Sequence, residues 1–184
     1  MSVGAKPGRA ANGPNPRASA RTLADTPRGA ARLGAVQALY QIELSGGSPE
    51  LILQEFLEHR LDEAIDGLSL GRADRALLGD LVEGVAAESA SLDDMLAAVL
   101  AEDWPVERLE TLLRVILRAG AYELGYRPEI PARATITEYV NLAQAFFDGK
   151  EPGMANGVLD HLAHSLRPEE FEDQDRKPDG PGGG

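Results

Sequence analysis

From Thr26 to about Arg167 the large apolar residues recur at spacings of three and four, and period-two alternation is missing. That is the signature of amphipathic helices rather than strands. At about 100° per residue from Arg28, the residues Leu33, Val36, Tyr40 and Leu44 share one core-facing stripe. Thr26–Pro27, a cap and a first-turn proline, opens that helix, and Ser48–Pro49 repeats the signal before "ELILQEFLEHRLDEAI". "RADRALLGDLVEGVAAES" predicts a third helix, and Ser91 with Asp94 resembles a capping box opening a fourth. Pro105 starts a fifth, in which Leu109, Leu112, Leu113, Ile116, Leu117 and Leu124 hold the helical period until Pro128 and Pro131 stop it. "ATITEYVNLAQAFF" is the sixth. After the break at Gly149, Pro152 and Gly153, "MANGVLDHLAHSL" is the seventh. The pattern predicts an all-α fold, a compact bundle of about seven helices over residues 26–167, with no internal repeat.

Outside that span the pattern fails. Residues 1–25 are rich in Ala, Gly, Pro and Arg with almost no large apolar side chain, and residues 168–184 are acidic and then Gly-rich. Neither offers enough apolar surface to offset the entropy of ordering, so both are expected to be disordered tails.

Charge sharpens the picture. The chain is −12 overall, yet its first 32 residues carry +5, leaving −17 for the rest. A basic leading arm on an acidic body points to a polyanion bound locally near one end. Arg28 and Arg32 lie beside the apolar stripe in the first turns, where cations oppose the helix dipole. Two guanidiniums on one rim suit a phosphate clamp; the alternative is an ion pair from each to acids on a neighbouring helix.

The same composition excludes other chemistry. There is no cysteine, hence no disulfide or thiolate metal site. No apolar run approaches the roughly 20 residues that span a bilayer, and no secretory signal is visible, so a cytoplasmic protein is expected. His161 and His164 with Asp160 lack zinc-protease spacing, and no GxxxxGK[ST] loop occurs. Neither an enzyme nor a cofactor is expected.

In order along the chain stand "ARLGAVQALYQIEL", "LVEGV", a Trp followed by "ERL", "ILRAGAYEL", "EIP", "TEYVNLAQAF" and "ANGVLD". This ordered set, from about Arg28 to Arg167, resembles the transcription antitermination factor NusB family. The resemblance implies an all-helical, non-catalytic protein that binds boxA, a short single-stranded RNA element of nascent ribosomal and phage transcripts. It does so with NusE, a small-subunit ribosomal protein, and reaches the other Nus factors and RNA polymerase indirectly. It further implies that Arg28 and Arg32 face RNA. Where the family's basic cluster is thinner in this chain, Arg21, Arg17 and Arg9 of the arm are expected to make up the deficit by ordering on binding. The loop "FFDGKEPGM" is the second RNA-facing region by the same resemblance, with Phe146, Lys150 and Met154 as its contacts, and Tyr40 and Leu113 fall at the NusE-facing surface.

Departures are visible. Gly29, Ala30 and Ala31 stand where relatives often have Arg or Lys, Leu113 replaces an acid, Lys150 stands where some relatives have an acid, and Met154 replaces a phenylalanine. By the same resemblance Arg118 and Glu138 form a helix-tying pair, Tyr122, Glu123 and Leu124 belong to a helix seam, and Asn156 with Gly157 starts the last helix. A NusB-like domain also precedes the catalytic part of a ribosomal-RNA cytosine methyltransferase, but the sequence ends before such a part. The alternative function is a protein-only helical adaptor that binds NusE-like partners without RNA. Self-association as a homodimer, seen in some relatives, stays open.

Overall fold

The computed structural model describes residues 16–62, 69–102 and 104–175. Among these, the chain runs through nine α-helices: α1 (Pro16–Ala24), α2 (Pro27–Ser45), α3 (Pro49–Glu55), α4 (Arg75–Ala87), α5 (Ser89–Ala97), α6 (Thr111–Tyr126), α7 (Ala132–Phe146), α8 (Glu151–Leu166) and α9 (Glu169–Asp175). A π turn, Phe56–Arg60, prolongs α3, and a 3-10 turn, Val106–Arg108, precedes α6. No strand occurs among the described residues.

The two central helices are α2 and α6. Gly29 to Val36 are buried without a gap, so this stretch of α2 is enclosed on every side, while its last residues, Glu43 to Ser45, reach the surface. Its small residues admit close neighbours: α1, α3, α4 and α6 all pack on it. Around α6 lie α2, α4, α5, α7 and α8. The start signals act as the pattern predicts. The Thr26 hydroxyl accepts the Gly29 N–H at 3.0 Å and Ser48 accepts that of Leu51. Asp74, not singled out from the sequence, caps α4 by accepting the Leu77 N–H at 3.0 Å. Gly46, at φ 64°, ends α2 in the left-handed conformation that glycine adopts at no steric cost.

Several boundaries depart from the pattern. Residues 16–24, expected in the disordered arm, form α1, which packs on α7 and α2 and buries Leu23. Residues 169–175, expected in the tail, form α9, anchored by buried Phe171. Residues 1–15 and 176–184 lie outside the described residues. Ser91 is not a cap: α5 already begins at Ser89. Nor does α6 begin at Pro105. The 3-10 turn ends at Leu109, and Glu110 caps α6 by accepting the Leu113 N–H at 3.0 Å. Asn156 and Gly157 sit exposed inside α8, which starts at Glu151 with Pro152 in its first turn, where a proline lacks nothing.

Candidate nucleic-acid interface

Arg28 and Arg32, one turn apart, separate completely in the fold. Arg28 is exposed and makes no ion pair among the described residues. Arg32 is only 4% exposed. Its Nε and Nη2 donate to the two oxygens of Glu123 at 3.0 and 2.5 Å, and Nη1 reaches Glu138 at 3.4 Å. The Tyr139 hydroxyl donates to the same Glu123 carboxylate at 2.9 Å. Burial alone would lower the pKa of Arg32, but hydrogen bonding and charge from Glu123 outweigh it and raise it. Tyr139 is pushed well above the ordinary phenol value, by burial first and then by the charge of Glu123.

The expected clamp of Arg28 with Arg32 therefore does not form, because Arg32 is spent on the interhelical ion pair that was the alternative reading. The pairing of Arg118 with Glu138 is corrected as well. Arg118 forks onto Asp93, at 2.7 Å for each oxygen, and also reaches Glu43 at 2.8 Å, which Arg114 contacts at 3.1 Å. Five residues apart on α6, Arg118 and Glu123 point about 140° apart, so one helix cannot aim both at α7.

The thin basic cluster has a structural cause. Gly29, Ala30 and Ala31 are buried, and a Cβ on Gly29 would lie 2.1 Å from the Leu23 carbonyl oxygen. The elbow between α1 and α2 closes on these positions, so a long cation has no room there. The exposed cation that α1 supplies is Arg21, which makes no ion pair among the described residues. Arg9 and the side chain of Arg17 fall outside the description.

The second group of expected contacts sits elsewhere. Because Glu138 pairs with Arg32 and α7 runs on to Phe146, that residue lies about 12 Å further along the bundle at 1.5 Å per residue. Phe146 is exposed, Phe147 is half-buried against the core, and Met154 is half-buried. Lys150 and Met154 line a groove of about 390 Å³ with Val99, Leu100, Trp104 and Val158. The Lys150 ammonium stands 4.8 Å from the centroid of the Trp104 ring, a cation–π contact, and Trp104 is 40% exposed. Trp104 was not singled out from the sequence as a contact; a lone Trp in the polar stretch "AEDWPVER" was the available signal. Arg28 and Lys150 thus belong to two different patches, the first by the α1–α2 elbow and the second by the Trp104 groove.

On the expected partner surface, Leu113 is 3% exposed and belongs to the core, pointed inward from the first turn of α6, so it offers no surface. Tyr40 is half-buried, and Leu44, one turn on, is 64% exposed rather than part of the core stripe. Leu51 of α3 is likewise exposed. His164 stacks on Phe171 with 3.9 Å between ring centroids, and no metal-holding group of three or more His, Cys, Asp or Glu occurs among the described residues. None of the described helices is long and apolar enough to cross a membrane.

A family model described as the NusB family matches residues 29–164. The transcription antitermination protein NusB of Rhodopseudomonas palustris is 45% identical over 144 residues, covering 78% of this chain and 85% of the relative. That of Caulobacter vibrioides is 45% identical over 141 residues, covering 77% and 95%. Among solved structures, T. maritima NusB superposes with a TM-score of 0.64 at 28% identity, over 77% of this chain and 94% of that one. A chain of the crystal structure of antitermination factors NusB and NusE in complex with dsRNA shares the fold, with a TM-score of 0.61 at 24% identity over 74% and 95%.

Proposed function

The chain belongs to the NusB family of non-enzymatic transcription antitermination factors, and from that premise we propose that it binds boxA RNA together with a NusE-type ribosomal protein to support antitermination of ribosomal RNA transcription. The observation that carries the RNA reading is Arg28, exposed at the start of α2 with no acidic partner among the described residues, in a chain whose net charge is −12. An isolated cation there is disfavoured by the helix dipole and gains its use from a phosphate. Arg21 supports it from α1. At the other patch, Lys150 offers a charge, and Trp104, Met154 and Phe146 offer surfaces on which a splayed base can stack. Tyr40 with Leu44 and Leu51 forms the apolar surface proposed for NusE. The cytoplasm, where nascent transcripts are made, is the proposed location.

One observation favours the second reading, a protein-only adaptor: Arg32 and positions 29–31 are buried, which strips the leading helix of much of the family's basic cluster. Fluorescence anisotropy of labelled boxA RNA separates the two, with and without NusE, for wild type and Arg28→Ala. Binding strengthened by NusE and weakened by the variant is expected. NusE binding with no RNA binding under any condition leaves the adaptor.

A further inference from the structure

Among the described residues, the buried and half-buried arginines have carboxylate partners: Arg32, Arg114, Arg118, Arg127 and Arg167. At one corner of the bundle, four exposed arginines do not: Arg28, Arg60, Arg72 and Arg75 make no ion pair among the described residues. Backbone contacts gather them. The Asp74 N–H donates to the Pro27 carbonyl at 2.9 Å, which sets the start of α4 against the first turn of α2 and brings Arg72 and Arg75 to the side of Arg28. Arg75 Nη1 donates to the Leu57 carbonyl at 3.4 Å. Gly71 packs on the residues just after the π turn, where a Cβ on it would lie 3.4 Å from Asp62 Oδ1 and 3.7 Å from the Leu61 oxygen, so Arg60 and Arg72 flank that contact beside the Asp62 carboxylate.

The acids described in this corner are Asp25, Glu58, Asp62 and Asp74, of which Glu58 accepts from Gln54 at 2.9 Å and faces its neighbour His59. None forms an ion pair with these arginines, and the Asp74 carboxylate is engaged by the Leu77 N–H. The exposed large hydrophobic residues, such as Leu44, Leu51 and Trp104, belong to other turns.

We propose that this corner is a phosphate-binding extension of the RNA path, in which the backbone of the RNA passes Arg28 and continues across Arg72 and Arg75 towards Arg60. It rests on the RNA reading of Arg28 given above. A protein partner needs an exposed aromatic or aliphatic anchor to carry binding energy, and none of the exposed large hydrophobic residues among the described ones lies in this corner. A sugar-phosphate backbone needs spaced cations, and guanidinium forks match its oxygens. The acidic remainder of the chain repels a polyanion elsewhere and so confines it to this track.

The test uses the full chain and a fluorescein-labelled RNA carrying boxA with its natural flanks, titrated over a range of salt concentrations. Each phosphate contact on single-stranded RNA contributes about 0.7 to the salt slope, so the triple variant R60A/R72A/R75A is expected to flatten it by about 2 and to weaken low-salt binding by about tenfold or more. R60K/R72K/R75K is expected to retain most of the slope, and R108A, an exposed arginine outside the corner, to leave it unchanged. Because Arg75 also holds the Leu57 carbonyl, R60A/R72A serves as the variant with no hydrogen bond at stake, with an expected flattening of about 1.4. A slope unchanged in both alanine variants, with wild type binding RNA, overturns the extension and leaves the Arg28 reading standing. Wild type that binds no RNA overturns both. Loss of polyglutamate binding in the triple variant, with its RNA slope intact, assigns the corner to an acidic protein and overturns the RNA path.

Discussion

Arg32 of α2 and Glu123 of α6 meet as a two-pronged ion pair inside the bundle, 4% and 0% exposed, with the Tyr139 hydroxyl on the same carboxylate. The pair joins the two central helices. Removing one member leaves the other charge buried without a partner, which costs far more than an exposed pair contributes.

Arg32→Ala is therefore expected to destabilise the fold by about 3–5 kcal/mol, read as a lower urea midpoint. Arg28→Ala, one turn away, should leave the midpoint unmoved and weaken RNA binding instead. If Arg32→Ala unfolds at the wild-type midpoint, the ion pair is not holding α2 to α6.

The Tyr139 phenol, raised by burial first and by the charge of Glu123 next, gives stability a defined pH window. The unfolded phenol ionises near about pH 10, while the folded one holds its proton. Above that pH the unfolded chain binds fewer protons than the folded one, so stability is complete below about pH 10 and falls as pH rises further. Tyr122, raised by burial and by Asp80, adds a smaller contribution of the same sign. Thermal melts between about pH 8 and 11 should fall at the alkaline end, and less steeply for Tyr139→Phe. Parallel profiles for the two proteins would exclude Tyr139 as the source.

The helices were legible where the chain announces them locally: Thr26–Pro27 and Ser48–Pro49 open α2 and α3 as their capping chemistry requires. The helix α1 was not, because its only large apolar residue is Leu23 and a nine-residue helix owes its stability to tertiary packing. The candidate site was legible only in part for a related reason. Spacing placed Arg28 and Arg32 on one rim, but the carboxylate that claims Arg32 lies 91 residues away on another helix. Leu113 is the reverse case: resemblance places it at a partner surface, whereas its place in the apolar period of α6 already points it inward, where it is buried.

Arg167 marks where the helical pattern weakens, yet it is a staple. Its side chain donates to the carbonyls of Leu124, Ile130, Glu123 and Arg127 at 2.6–2.9 Å, groups at the end of α6 and in the turn beyond it, several of which have no helical partner. Glu170 holds Arg167 at 3.1 Å and accepts the first N–H of α7, from Ala132, at 2.7 Å. Arg167→Lys keeps the charge but lacks the fork, and is expected to cost on the order of 2–3 kcal/mol by urea unfolding. Deleting residues 168–184 should also lower the midpoint, because Glu170 and Phe171 go with them. Deleting residues 176–184 should not. Equal midpoints for the two deletions would show that α9 contributes nothing to the fold.

Trp104 is the single tryptophan of the chain, so intrinsic fluorescence reports on the groove it shares with Lys150 and Met154. With the Lys150 ammonium 4.8 Å from its ring centroid, one aromatic face is held by an exposed contact worth only about 0.5–1 kcal/mol. A stacked base is worth about 1–3 kcal/mol, enough to displace the ammonium, which then becomes available to a phosphate. Titration with boxA RNA is expected to change Trp104 emission in step with the anisotropy of the labelled RNA. Trp104→Ala should weaken binding by about 1–3 kcal/mol with little change in salt slope, because stacking releases no counterions. Lys150→Ala should do the converse, flattening the slope by about 0.7 while the emission change persists. Emission that stays constant through saturating RNA would remove the groove from the RNA path and leave binding to Arg28 and the arginines beside it.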